Sequence, residues 1–438
     1  MKNNSLNQMT QGGGLLQLVA MGKQDVFLTG NPQVTWFKMV YRRYTNFSIE
    51  SSIINFDNQP DFGRRITTVI PRKGDLLGPL WLEIQLPAIY LNNNGVRGNS
   101  ASYTNAIAHA LIKEISIDIG EQEIDKQTGE WMELWSNYVV TQDKIQGWNN
   151  MIGKTAGASE GTASSNQVNQ QGPLYLYVPL RFWFCKNPGL SLPIIALQYH
   201  PIRINITLRP LQELFVIDNP TAVPCTATVE ADSVPTFNLY GDFIHLDVEE
   251  RRRFVANSHE YLIEQVQYTS LQSIDAKATS VQVPMEFNHP IRELYWFIQR
   301  VAATNANQYF NYTNLAIGET SNRVGYLNLI NKALLKLDGY DRFDERNADY
   351  FRLVQPFQYH TVVPNNYVYS YSFCFRPEDC QPSGSMNASR VDSIVLQLQM
   401  TDDTLLTPKR GPSNVRIYAL NHNVLRVTNG FGGILFRI

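Results

Sequence analysis

The residues of this sequence best able to do chemistry are its histidines, its cysteines and a cluster of acids near residue 340, and their spacing limits what each could support. His109, His200, His245, His259, His289, His360 and His422 stand singly, without a second His or Cys at the short intervals by which one element presents metal ligands. No metal site is expected. Cys185, Cys225, Cys374 and Cys380 contain no Cys-x-x-Cys pair, and Cys374 and Cys380 have no adjacent His to serve as base. They read as free thiols of a reducing compartment. Asp338, Asp341, Asp344 and Glu345 offer oxygens for calcium, but the ligand order and the sharp-turn glycine of a calcium loop are missing, which leaves a charged turn between strands. A phosphate loop would need Gly and Ser or Thr where Gln17 and Gln24 flank Gly22-Lys23. No Gly-x-Ser-x-Gly elbow occurs. No catalytic, cofactor-binding or metal-binding residue is therefore assigned. Sequons stand at Asn3, Asn46, Asn205, Asn311 and Asn387; Asn205 falls in a strand pattern, and Asn311 is the candidate for glycosylation because residues 302–325 read as an exposed loop.

The elements behind these residues are strands. Residues 201–209 alternate strictly, with Ile202, Ile204, Ile206 and Leu208 on one face and Arg203, Asn205, Thr207 and Arg209 on the other. The same period runs through Leu80, Leu82, Ile84 and Leu86, through Ile115, Ile117 and Ile119, through Ile394, Leu396, Leu398 and Met400, and through Val415, Ile417 and Ala419. Turn chemistry at Arg72-Lys73-Gly74-Asp75, Asn92-Asn93-Asn94-Gly95 and Asp338-Gly339 separates such runs, which predicts sandwiches or barrels. Helical spacing is confined to a few places, best at Trp131, Leu134, Trp135 and Tyr138 between Gly129 and Gly147, an insertion helix expected to pack on a sheet. Residues 153–172 are rich in Gly, Ser, Asn and Gln and read as an exposed loop.

At 438 residues the chain is long enough for two cores, and 43% apolar with 17% charged residues excludes a disordered chain and suits one whose surface is covered by neighbours. Thirty-seven Lys and Arg nearly cancel 39 Asp and Glu, so no basic field for nucleic-acid phosphates exists. The Glu249-Glu250-Arg251-Arg252-Arg253 cluster reads as a solvated face. Residues 1–14 are polar and Gly-rich, and no segment reaches the roughly 18 uninterrupted apolar residues of a membrane span. Neither a signal peptide nor a span is expected.

Longer blocks carry a resemblance. Residues 12–32 (GGGLLQLVAMGKQDVFLTGNP), Thr35-Trp36-Phe37-Lys38 and residues 41–47 resemble the N-terminus of the major capsid proteins of nucleocytoplasmic large DNA viruses. Residues 187–205 (NPGLSLPIIALQYHPIRIN) resemble the end of that family's first jelly roll. Residues 259–267 (HEYLIEQVQ), Asn288-His289-Pro290, Asp341-Arg342-Phe343, Tyr350-Phe351, Gln355-Pro356, residues 382–390 (PSGSMNASR), residues 421–425 (NHNVL) and Gly430, Gly432 and Gly433 are similar to its second.

The resemblance implies an all-β protein of two consecutive eight-stranded antiparallel jelly rolls with short insertion helices, trimerising into a pseudo-hexagonal capsomer of an icosahedral shell. It implies no enzyme activity and no cofactor. The implied partners are two further copies, neighbouring capsomers, and minor capsid and penton proteins, with no direct nucleic-acid contact. The implied location is the virion capsid, with synthesis and assembly in the host cytoplasm. The expected division is an N-terminal arm at 1–25, a first jelly roll at 26–212, a linker at 213–235 and a second jelly roll at 236–438. In the arm, Leu15, Leu16, Leu18 and Val19 are spaced for one face of a helical turn that orders by docking on the inner side of the capsid, on a neighbouring capsomer, a minor protein or an underlying membrane. The C-terminal residues 431–438 are more apolar than the family's usual ending, and both long loops are short for it, which implies low surface towers. The alternative class is a jelly-roll protein of the virion that binds a receptor or carbohydrate, or a minor capsid protein.

Overall fold

The computed structural model describes residues 13–87, 89–93, 96–98, 101–154, 174–217, 226–229, 235–314, 328–402, 406 and 410–436, in two units, Met1–Asn46 and Phe47–Ile438. The first unit carries helices α1 (Gly13–Val19) and α2 (Lys23–Thr29). The Asp25 carboxylate accepts the Gly22 amide at 2.9 Å and so caps α2. Leu15, Leu16, Leu18 and Val19 all lie in α1, as their spacing predicts, and neither helix buries a residue. Among its described residues this unit shows no core of its own.

In the second unit, alternation builds two sandwiches. The first contains β1 (Phe47–Ile54), β2 (Arg65–Val69), β3 (Leu76–Leu86), β4 (Ile112–Ile119), β5 (Gln122–Thr128), β6 (Leu174–Pro179), β7 (Ile202–Leu208) and β8 (Thr236–Leu246). They pair antiparallel in the orders β1-β8-β3-β6 and β2-β7-β4-β5. Facing rows such as Leu80, Leu82 and Ile84 against Ile204, Ile206 and Ile117 are fully buried between the two sheets.

The second sandwich repeats this order eight strands later. Its strands are β9 (His259–Tyr268), β10 (Ser280–Met285), β11 (Pro290–Arg300), β12 (Ile330–Leu337), β13 (Tyr340–Asp341), β14 (Tyr369–Ser372), β15 (Ile394–Met400) and β16 (Ser413–Thr428). They form β9-β16-β11-β14 and β10-β15-β12-β13. A four-strand path whose last strand inserts between the first and third, facing a second path of four, is a jelly roll, here twice over, with short added strands bringing the second sandwich's sheets to seven and five. The fold is the expected all-β pair.

The domain boundary differs from the expected one. Thr236–Leu246, placed by the sequence in the second half, is β8 of the first, held between β1 and β3 from Phe47↔Leu246 to Thr236↔Gln85. The Pro-rich stretch at 213–235 marks a connection from β7 back to β8, because a jelly roll closes only when its last strand returns to the first sheet. Of that stretch, residues 218–225 and 230–234 lie outside the described residues. The chain passes between sandwiches instead through α5 (Val248–Ala256), the helix that carries the mixed charge cluster. Its Arg251 Nε reaches Asp75 at 3.0 Å while Arg252 and Glu249 stay in solvent. Labels α3 (Gly129–Val139) and α4 (Gln142–Ile152) denote the insertion between β5 and β6.

The sequence blocks are paired elements. Residues 259–267 lie in β9 and 421–425 in β16, side by side from Gln265↔Asn421 to Tyr261↔Leu425. Amide side chains bridge them: Asn423 Nδ2 donates to Gln265 Oε1 at 2.9 Å and Gln267 Nε2 to Asn421 Oδ1 at 3.0 Å. Likewise the His289 amide, in a residue at φ 65°, donates to Ser389 Oγ at 2.8 Å, joining the Asn288-His289-Pro290 block to the block at 382–390. The expected tower loops fall largely on residues 155–173 and 315–327, outside the described residues.

Candidate functional site

The most heavily built polar region is the seam where the two sandwiches meet, and α3 is its centre. Thr128 caps the helix by accepting the Trp131 amide at 3.2 Å. Gly129 is required there, since a Cβ would sit 2.0 Å from the His109 carbonyl oxygen. The predicted stripe is real, and the sheet it packs on belongs to the other sandwich. Trp131, Trp135 and Tyr138 pack on the second sandwich: Trp131 and Tyr138 each place their rings 5.3 Å from Tyr295 of β11, and Trp131 lies 5.4 Å from Tyr418 of β16. From Ile291 to Arg300 every residue of β11 is buried, because one face meets its own core and the other meets α3 at Tyr295 and residues 309–313 at Phe297, Gln299 and Arg300.

Charged groups are sealed into this contact. Glu130 of α3 accepts from Arg209 Nη2 at 3.3 Å, from the Tyr418 hydroxyl at 3.3 Å and from Arg416. Thr128 Oγ1 lies 2.7 Å from the same Tyr418 hydroxyl. A second cluster joins Glu264 of β9 to Lys186 of the first sandwich and to Arg292 Nη1 at 2.6 Å, with Lys186 Nζ 4.6 Å over the Trp135 ring. Burial alone would raise the Glu264 carboxyl, but the two cations outweigh it and hold it below its ordinary range. Nearby, burial and the positive Arg292 push the His422 imidazole down to about 4. Under the helix, burial is again outweighed at Glu133, which Lys154 Nζ at 2.6 Å and His109 Nδ1 at 2.7 Å bring down to about 2. His360 completes the set: its Nε2 is 2.8 Å from Glu293 and its Nδ1 3.0 Å from Glu378, and its ring is 4.6 Å from Tyr138.

At Asp125 of β5 burial wins instead. Its oxygens accept the Val266 amide at 3.1 Å and Gln127 Nε2 at 2.7 Å, yet desolvation pushes it up to about 6. A raised carboxyl pKa means the folded state holds the proton better, so this group's contribution is full below about 4, falls as pH rises through 6, and above that costs about 3 kcal/mol. Asp125→Asn keeps the acceptor for Val266 and removes the charge, while Gln127 Nε2 keeps its 3.1 Å bond to the Arg181 carbonyl. The variant should melt a few degrees higher than the parent at pH 8 and no higher at pH 4.5 in a thermal scan.

The apolar C-terminus is part of the seam. Phe431–Ile434 adds a strand to β16 and crosses to the first sandwich. There the Tyr199 amide donates to the Gly430 carbonyl at 3.0 Å, the Tyr199 and Phe431 rings stack at 5.0 Å, and the Ile434 amide donates to Gln122 Oε1 at 3.2 Å. Gly430 has φ 85° and no room for a Cβ beneath Tyr199.

The remaining sequence candidates behave as follows. Asn311, expected in an exposed loop as a glycosylation position, is fully buried: its Nδ2 donates to Gln308 Oε1 at 2.9 Å and its Oδ1 accepts both the amide and hydroxyl of Thr313. The sequon threonine that suggested a glycan instead closes a local turn, and the folded chain cannot present this amide. Asn205 is also buried, donating to Asp118 Oδ2 at 2.7 Å. Asp338 sits at φ 51° in the β12–β13 turn, where Lys336 faces Asp341 and Lys332 faces Glu345, a charged turn as read. Burial pushes the Cys185 thiol up to about 12 and so makes it inert. Among the described residues no group of acids, His and Cys is gathered for a metal, and no helix is long and apolar enough to cross a membrane. Sequence reasoning missed Glu130, Lys186, Glu264, Arg292, His360 and Arg416. The unbroken apolar run from Leu294 to Ile298, which marks a strand covered on both faces, was the available signal.

Comparison with known proteins follows the two sandwiches. Residues 35–247 match the family described as major capsid protein N-terminus, and residues 250–433 match large eukaryotic DNA virus major capsid protein. The major capsid protein of Phaeocystis pouchetii virus is 36% identical across 97% of this chain and 99% of its own. That of Paramecium bursaria Chlorella virus 1 is 34% identical, again across 97% and 99%. A quasi-atomic model of the PBCV-1 virus capsid superposes with TM-score 0.75 and 31% identity, covering 92% of this chain and all of that one. The Faustovirus major capsid protein shares the fold at TM-score 0.71 and 15% identity, over 97% of this chain and 100% of that one.

Proposed function

Because this chain belongs to the major capsid protein family of large eukaryotic DNA viruses, a structural family of the virion shell and not one of enzymes, we propose that three copies close into a pseudo-hexagonal capsomer. The observation that carries this is the seam. Two sandwiches of one topology, bound through desolvated aromatics and ion pairs, form a block that offers two near-equivalent sides per chain, and three such blocks supply six. The working division is an arm, a first jelly roll ending at β8, the α5 connection and a second jelly roll. Neighbouring capsomers, minor capsid and penton proteins are its partners, and assembly takes place in the host cytoplasm. The purified protein should be a trimer by native mass spectrometry at micromolar concentration, consistent with subunit contacts burying on the order of 2,000 Å² or more. A monomer under those conditions overturns the reading.

The arm is proposed to act on the shell's inner side, against a neighbouring capsomer, a minor protein or an underlying membrane. Its helices carry Leu15, Leu16, Leu18, Val26, Phe27 and Leu28 without burying any of them. Deleting residues 1–22 should leave a soluble trimer with the parent's melting temperature while blocking its incorporation into particles. Loss of the trimer would put the arm between subunits, and a normal particle yield would show that it has no part in assembly.

A further inference from the structure

The insertion formed by α3 and α4 holds one amine against one carboxamide. Glu133 and Asn137 stand at i and i+4 of α3 and so share a face of it. Lys154 reaches that face from the end of α4, where Gly153 at φ 68° turns the chain and the Lys154 amide donates to the Asn149 carbonyl at 2.8 Å. A Cβ on Gly153 would lie 2.8 Å from Ile107, so both conformation and space require glycine at this turn. Lys154 Nζ then donates to Glu133 Oε1 at 2.6 Å and to Asn137 Oδ1 at 3.3 Å. The Lys154 side chain is 11% exposed and that of Glu133 is fully buried.

An ion pair accounts for two of these three groups. The carboxamide is different: Asn137 Nδ2 is buried and has no partner among the described residues. Turning the amide over would set its NH2 against the ammonium, donor to donor, so the oxygen must face Lys154 and the nitrogen must stay unsatisfied. An amine touches the oxygen of this group while nothing but the bond to Cγ retains its nitrogen. With a carboxylate able to move protons between them, these are the parts of an amide exchange.

We propose that Lys154 and Asn137 join in an isopeptide bond, formed once per chain by the protein itself with Glu133 as the base. The neutral Lys154 amine attacks Asn137 Cγ to form the Nζ–Cγ bond, and Glu133 takes the proton that the attacking nitrogen sheds. The carboxyl hands that proton to Nδ2, the Cγ–Nδ2 bond breaks, and ammonia leaves. No oxidant, metal or second substrate enters, and the chain becomes lighter by the mass of one ammonia.

Burial would raise the Glu133 carboxyl, but Lys154 and His109 outweigh it and keep the group ionised, as a base must be, while His109 Nδ1 holds its other oxygen at 2.7 Å. The buried Tyr312 is also within electrostatic reach of Glu133. Attack starts from the uncharged amine, a small fraction beside a carboxylate, so the bond forms slowly and faster as pH rises. The product ties α3 to the end of α4 across 17 positions of chain, which locks the helix whose Trp131, Trp135 and Tyr138 fill the seam.

Kept at pH 9, the purified full chain should reach a mass one ammonia below that of its sequence, and sooner than at pH 6. Trypsin should then release residues 127–144 and 145–181 as one linked species, because the joined Lys154 no longer admits cleavage. Lys154→Arg keeps a charge beside Glu133 but has no primary amine, so it should keep its full mass and give no linked species. Glu133→Gln should slow the loss roughly a hundredfold. If that variant does not fold, Asn137→Ser takes its place and should lose no ammonia. A parent chain that stays at full mass overturns the proposal. So does a loss that persists in Lys154→Arg, which would place it on an asparagine closing on its own backbone, and a Glu133→Gln chain that reacts at the parent's rate removes Glu133 from the chemistry.

Discussion

Replacing Ile204 with Asp is expected to leave no soluble folded protein, whereas Thr207→Val should melt within about 2 °C of the parent. The two positions are three residues apart on β7, on opposite rows. Ile204 is fully buried, paired between Thr68 of β2 and Ile117 of β4, with the whole sandwich interior beneath it. A carboxylate there would sit in the apolar cluster beside a Thr68 hydroxyl that already donates to the Asn55 carbonyl at 2.7 Å, and its burial costs several kcal/mol against a total stability of about 5–15 kcal/mol. Thr207 is half-buried, beside Arg65 and Glu114, and its hydroxyl can be traded for a methyl at little cost. Soluble yield and a thermal scan of both variants decide the matter, and equal yields would mean that the rows are misassigned.

The second large effect is expected at His360. Its side chain is fully buried, which by itself would lower its pKa, but Glu293 and Glu378 on either side outweigh burial and raise it to about 9. The imidazolium donates from both nitrogens, and among the described residues Glu293, also fully buried, has besides it only the Tyr295 hydroxyl. Since the folded pKa lies above the unfolded value of 6.5, the added stability is complete below about pH 6.5 and is lost as pH rises through 9. Its size is about 3 kcal/mol. His360→Gln should therefore melt well below the parent at pH 6, and the gap between the two should shrink steadily toward pH 10. A gap that does not change with pH would show that the ring holds no proton in the folded chain. The difference between the two proteins is the quantity to follow, because the lysines and tyrosines common to both cancel in it.

The effects differ in how far the sequence foretells them. Ile204 can be assigned to the core from its alternating neighbours alone, since a strand presents side chains with period two whatever it pairs with. His360 cannot. It lies outside any periodic run, and Glu293 and Glu378 are 67 and 18 residues away along the chain. The stripe on α3 lies between these cases: Trp131, Leu134, Trp135 and Tyr138 announce one buried face, but nothing in their spacing says that the face belongs to the other sandwich. Asn311 marks the same limit from the opposite side, for a polar, loop-like stretch hides a fully buried asparagine satisfied by its own neighbours.

What the sequence determined by itself was therefore local and periodic: the strands, the one strong helix, the absence of motif-borne chemistry, and, through its longer blocks, the family and its doubled jelly roll. Tertiary structure alone decided where the first sandwich ends, because membership of β8 depends on pairing with β1 and β3, strands more than 150 residues earlier. It also decided which charges are buried, since Glu130 meets Arg416 only across 286 residues of chain and Lys186 meets Glu264 across 78. The physical reason is one of range. Hydrophobic period and turn chemistry act between residues a few positions apart and are written in the order of the letters. Ion pairing, desolvation and strand insertion act between groups brought together only after the two sandwiches have formed.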